Sequence, residues 1–213
     1  MAELTDNILQ FFCIFVCGVY SCFQSAAKKS YKWLFISLFY LSFGIGLLYW
    51  VLYIVLFHST PRVFFVSELN WTASYIFLAI SLVSDMSEDE RKFKLKPVFW
   101  VLPAFSFIMC IFFCLRGSYF ENILMGSAMA ACGFYAVKGI YFSKQKNTKH
   151  RCLFSYAVLF FYAAEYLLWI CSYFYTENTF INPYFLADTF ILNPALVMIA
   201  FAQAKEDKTC HTA

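Results

Sequence analysis

Charge is scarce in this chain. Only 14% of its 213 residues are Asp, Glu, Lys or Arg, too few to cover the surface of a water-soluble domain. Histidine occurs three times, and His58, His150 and His211 all fall in polar loops or the tail. A histidine base or ligand inside an apolar segment is thereby excluded, and no HExxH run, nucleophile-elbow serine or glycine-rich phosphate loop is present. No catalytic residue, cofactor or metal site is expected. Of the five prolines only Pro103 and Pro194 lie inside apolar runs, which leaves most long segments unbroken.

What fills the chain instead is hydrocarbon. Hydrophobic residues make up 62% and aromatic residues 23%, with 28 Phe and 15 Tyr, the balance of a chain that dissolves in lipid. The net charge of +3 does not point to nucleic acid, because its meaning depends on which side of a membrane each charge occupies. The nine cysteines mostly sit in apolar runs, as do the i, i+4 pairs Cys13 and Cys17, and Cys110 and Cys114. They read as small packing residues, since no His or carboxylate stands beside them.

A bilayer-spanning helix needs about 20 apolar residues. Seven stretches qualify, at about 7–24, 33–57, 64–83, 98–115, 119–142, 153–174 and 184–203. "MAELTDN" is acidic and is followed by no small-residue cleavage site, so the first stretch reads as a retained helix and not a signal peptide. Thirteen of the sixteen Lys and Arg occupy alternate loops and the tail ("QSAAKKSYK", "DERKFKLK", "SKQKNTKHR", "AKEDK"), while the opposite loops hold Arg62 and Arg116. By the positive-inside rule the N-terminus is outside and the C-terminus cytoplasmic. Lys138, within the fifth stretch, is expected to snorkel to the cytoplasmic interface.

The sequence also repeats itself. "DNIL" at the first span and "ENIL" at the fifth are 115 residues apart, and the same offset carries Cys17, Gly18 and Tyr20 onto Cys132, Gly133 and Tyr135. An offset of 119 carries Trp50 onto Trp169, and one of 120 carries Glu68 onto Asp188. This implies an all-α membrane protein with a parallel 3+1+3 repeat in a single domain over 1–213: repeat A at about 6–86, a linker helix at about 98–115 and repeat B at about 119–205.

The most informative stretch is "YAAEYLLWICSYF", residues 162 to 174, which buries one carboxylate in an apolar run. Glu165 stands nine residues before the end of that run, about 13 Å below the outer surface. Trp169, four residues on, shares its face. Glu68 and Asp188 lie about one turn below the same surface. A charged group this deep costs at least about 2.5–3.5 kcal/mol and faces a bundle interior or a wet cavity. Glu165, Trp169, Asp188, Trp50 and Glu68 are therefore the candidate ligand-binding residues, suited to an amine, another organic cation or a polyol stacked on indole. Gly46, four residues before Trp50, takes the place of Glu165 in the first repeat.

The order Trp50 then Glu68, and Trp169 then Asp188, resembles the SWEET family of sugar transporters. That resemblance implies seven helices in a 3+1+3 arrangement, a sugar site walled by Trp50 and Trp169, and solute transport. In that family Asn occupies the places of Glu68 and Asp188, and hinge prolines break the first two helices of each repeat; here both features differ. "EYLLWICSYF" followed by "FLADTF" also resembles the seven-helix sensor domains of bacterial histidine kinases and diguanylate cyclases. In that case only about ten residues follow the last span, so the signal would pass to a cytoplasmic signalling partner or through a homo-oligomer. An intramembrane carboxylate hydrolase is a third reading. Transport ranks first, because a duplicated bundle suits alternating access.

Overall fold

The computed structural model describes residues 2–61, 65–84, 86–94, 96–117, 119–146 and 152–211. Arg62, Lys149, His150 and Arg151 of the loops considered above lie outside these residues. In hydrocarbon every backbone N–H and C=O has to find an internal partner, so each long apolar run folds as one helix. These are α1 (Ala2–Lys28), α2 (Tyr31–Phe57), α3 (Phe65–Ser84), α4 (Pro97–Cys114), α5 (Tyr119–Gln145), α6 (Cys152–Phe174) and α7 (Pro183–Thr209). All seven are long and apolar enough to cross a bilayer, and the chain is a multi-pass integral membrane protein.

Short, specific turns join them. Lys29 takes a left-handed backbone (φ 50°), after which the Ser30 side chain caps α2 by accepting from the Trp33 N–H. His58, also left-handed (φ 53°), ends α2. Asn182 caps α7 by accepting from the Tyr184 N–H at 2.8 Å, with Pro183 in the first turn, where its missing N–H costs nothing. The helices start earlier or run longer than hydropathy alone suggests. α1 opens at Ala2 and takes the acidic residues Glu3 and Asp6 into its first two turns.

Most neighbours in sequence are neighbours in space. α1 packs on α2, α2 on α3, α5 on α6 and α6 on α7; α3 meets α5 and α1 meets α7, which closes a ring of six helices. α4 packs outside it against α5. Only 11% of the apolar window of α4 is buried, against 56% for α5 and for α7, so α4 is the most lipid-exposed element. Its Phe107 and Ile108 face outward, as do Phe12, Val16 and Phe23 of α1.

The core is aromatic and tightly tied. Phe39 of α2 meets Phe161 of α6 edge-on at 5.4 Å, and Phe161 lies 5.9 Å from Tyr75. The Tyr40 hydroxyl donates to the Leu196 carbonyl at 2.6 Å and accepts from the Ala200 N–H at 3.2 Å, so it bridges α2 to one turn of α7. Tyr162 donates to the Leu102 carbonyl at 3.0 Å and pairs with Ser106 at 2.7 Å, which fastens α4 to α6. Cys17, Cys132 and Cys171 are buried packing residues, and the described cysteines are free.

Lys138 does not reach water as expected. It is 5% exposed, and its ammonium donates to the Arg91 carbonyl of the turn at 86–94 at 3.2 Å. That peptide oxygen takes the place of interfacial water.

Candidate functional site

On the face that carries the N-terminus the ring of helices opens into a cavity of about 490 Å³, within the size range of small-molecule sites. Glu165, Trp169, Asp188, Trp50 and Glu68 all line it. They arrive from four helices: α6 supplies Glu165 and Trp169 one turn apart, α7 Asp188, α2 Trp50 and α3 Glu68.

Glu165 is 2% exposed, and its Oε1 has no hydrogen-bond partner, although the Tyr75 hydroxyl and Trp169 indole stand within reach of the carboxyl. An unpaired buried acceptor is costly. Asp188, 3% exposed, accepts from the Gln10 amide, itself 2% exposed. Behind it the Asp6 carboxyl, 5% exposed, accepts from the Thr189 hydroxyl at 2.6 Å and faces Asp188. Asp188 also opens a π-helical turn, Asp188–Leu192, where one extra residue per turn shifts the register of α7. Glu68 is half-buried, with Oε2 unpartnered and the Glu121 carboxyl of α5 beside it.

Two aromatic walls flank these acids. Trp50 and Trp71 lie 6.0 Å apart, with Phe43 6.3 Å beyond Trp71; Tyr75 and Trp169 lie 6.2 Å apart, with Phe113 backing Trp169 at 6.0 Å. The mouth is narrowed by the segment 175–182. Asn182 donates to the Tyr175 and Glu177 carbonyls, the Glu3 N–H donates to Asn178 Oδ1 at 3.1 Å, and Trp50 Nε1 donates to Glu3 Oε1 at 2.9 Å.

Several lining residues escaped the sequence reading. Glu3, Asn7 and Gln10 form a polar stripe at i, i+4 and i+7 of α1 and all face the cavity. Their 3.6-residue period was the available signal, hidden because the first span seemed to begin at residue 7. Trp71 and Tyr75 of α3 were missed for the opposite reason, since one aromatic among so many carries no mark. Gly46 does not line the cavity. A Cβ there would stand 2.9 Å from Trp71 Nε1 and 3.2 Å from the Ser67 carbonyl, so the bare backbone lets α3 approach and seats Trp71 in the wall.

Glu3, Glu68, Glu165, Glu177 and Asp188 put five carboxyls around one cavity, and no Lys, Arg or His stands among the described lining residues. A concave, low-dielectric site of one sign concentrates the opposite charge. At the opposite end of the bundle, ion pairs tie the helices together. Lys28 meets Asp207 at 2.5 Å, and Asp207 also accepts from Trp33 Nε1 at 2.7 Å and Gln203 at 2.6 Å. Lys32 lies 3.6 Å from Glu206, which accepts from the Phe154 N–H at 2.8 Å. The chain matches no protein-family model, no curated protein and no solved structure at a significant level.

Proposed function

We propose that this membrane protein binds a small organic cation in the cavity and carries it across the bilayer without chemical change. The observation that carries the reading is the lining itself: five carboxyls, three indoles and no described cation around a single opening, with the buried Glu165 Oε1 unpaired. Ammonium groups are drawn to both kinds of wall, by charge and by the face of the indole ring. A polyol meets the aromatic walls equally well but leaves the carboxyls without countercharge, so the cation ranks above it. Transport ranks above sensing because the bundle is open at one face while Lys28, Lys32, Glu206 and Asp207 tie α1, α2, α6 and α7 together at the other. That is the arrangement of one end-state of alternating access.

The finer architecture belongs to the same proposal. The cavity faces outside, with the N-terminus outside and the C-terminus cytoplasmic, as the loop charges require. Helices α1–α3 and α5–α7 are two parallel copies. This is supported by their equivalent packing order and by two carboxyl contacts that the offsets exchange. Asp6 faces Asp188 between α1 and α7, while their counterparts Glu121 and Glu68 face each other between α5 and α3.

The test is direct. Calorimetry on purified protein should show choline and butylamine binding, with sorbitol inert, and proteoliposomes should accumulate labelled choline. Binding without uptake would move the protein to the sensing class. Binding of sorbitol but of neither cation would defeat the reading.

A further inference from the structure

The carboxyls are not gathered at one point. Glu165 lies deepest, nine residues or about 13 Å of helix from the end of α6, and Asp188 stands above it, between the levels of Gln10 and Asp6 on α1. Glu3, one turn before Asp6 on α1, is at the mouth, where it joins Trp50 and Asn178. Glu68, one turn into α3, and Glu177 of the segment 175–182 complete this upper level. A single compact cation satisfies one level and leaves the other without countercharge.

Each level also has an open acceptor: Glu165 Oε1 below and Glu68 Oε2 above, both shielded from solvent and both without a hydrogen-bond partner. Between the levels the lining is aromatic, with Trp50, Trp71, Tyr75 and Trp169. This surface suits methylene groups and the faces of alkylammonium carbons, not more charge. A divalent metal ion matches the pattern poorly, because no group of three His, Cys, Asp or Glu among the described residues is arranged to hold one.

We propose that the solute is a linear di- or polyamine, with one ammonium at Glu165 and Asp188, its methylene chain along the indole walls, and a second ammonium at Glu3, Glu68 and Glu177. This rests on the cation-binding reading above and adds the requirement for two charged ends. Ammonium is the fitting group because it offers three N–H donors and needs no acceptor, whereas every charged side chain described in the lining is an acceptor when ionised.

The experiment is calorimetric titration of the full-length chain in lipid nanodiscs with spermidine, putrescine and butylamine at constant ionic strength. Spermidine should bind at least about tenfold tighter than butylamine, with putrescine between them, because the second charged contact exists only for the longer amines. Glu68→Gln should weaken spermidine severalfold more than it weakens butylamine. Glu177→Gln, in the segment outside the helices, should do the same and serves where the α3 variant folds poorly. Glu165→Gln should weaken all three. Equal affinity for butylamine and spermidine, or spermidine binding untouched by both upper-level variants, would overturn the two-station proposal while leaving cation binding intact. Displacement of spermidine by equimolar magnesium would also overturn it, since diffuse charge attraction would then suffice. Failure of all three amines to bind would remove the cation reading along with it.

Discussion

Asp6 of α1 and Asp188 of α7 face each other across a helix interface beside the cavity, each held by a neutral neighbour, Thr189 for Asp6 and Gln10 for Asp188. Groups in contact within one polar network couple, whereas groups at separate interfaces add independently. A double-mutant cycle with Asp6→Asn and Asp188→Asn should therefore give a coupling of about 0.5–3 kcal/mol in unfolding stability. The control cycle, Asp6→Asn with Glu121→Gln, pairs residues on α1 and α5 and should be additive within about 0.5 kcal/mol. Equal coupling in both cycles would mean that the Asp6–Asp188 contact has no energetic reality.

Gly46 sets how closely α2 and α3 approach. Gly46→Ala would place a methyl group 2.9 Å from Trp71 Nε1 and 3.2 Å from the Ser67 carbonyl, and the carbonyl cannot rotate away. Overpacking of this kind costs about 1–3 kcal/mol. The melting temperature should fall, and the displaced Trp71 should weaken ligand binding as well. Gly117→Ala is a useful contrast: that glycine has space around it but a φ of 123°, so its cost is backbone strain and ligand affinity should not change.

Gly46 also illustrates what a sequence of this kind reveals. The seven spans were legible because lipid imposes one rule on all of them, and Glu165, Glu68 and Asp188 were legible because a carboxyl in an apolar run needs a reason. Trp50 and Trp169 stood out through their matched offset. By contrast, the stripe Glu3, Asn7 and Gln10 lay where an acidic terminus reads as a flank, and hydropathy places no boundary inside a polar first turn. The π-helical turn at Asp188–Leu192 is a matter of one extra residue in the ladder, decided by the packing of α7 against α1 and α6, and leaves no compositional trace. Lys138 was misjudged because its backbone acceptor at Arg91 depends on how the turn at 86–94 folds.

At the end of the bundle opposite the cavity, Glu206 is 5% exposed and serves two partners, Lys32 and the Phe154 N–H. Removing one member of a buried pair leaves an uncompensated charge, at a cost of about 3–5 kcal/mol. Glu206→Ala should therefore be strongly destabilising. Glu206→Gln keeps an acceptor for Phe154 and should lose less. Breaking the solvent-exposed Lys92–Glu88 pair, 3.3 Å apart on the surface, should cost less than about 1 kcal/mol. Thermal melts of the three variants decide the order, and a null effect of Glu206→Ala would mean that this end is not held together by its ion pairs.

Glu165 separates binding from architecture. Its Oε1 has no partner, while the Tyr75 hydroxyl and the Trp169 N–H stand within reach of the carboxyl. Glu165→Gln preserves the shape and an acceptor oxygen for those donors but cannot carry a negative charge, so yield and melting temperature should stay near the parent values. Binding of butylamine should fall at least about tenfold, since a hydrogen bond to a charged group contributes about 1.5–3 kcal/mol. Glu165→Leu removes the acceptor as well, leaving buried donors unsatisfied at about 1–3 kcal/mol each, and should lower the melting temperature even without ligand. A structural role alone predicts a different pattern, with full binding in the Gln variant and damage confined to Leu. Ligand-dependent thermal shifts of both variants distinguish the two, and a parental response in Glu165→Gln would rule out this carboxyl as the cation's partner.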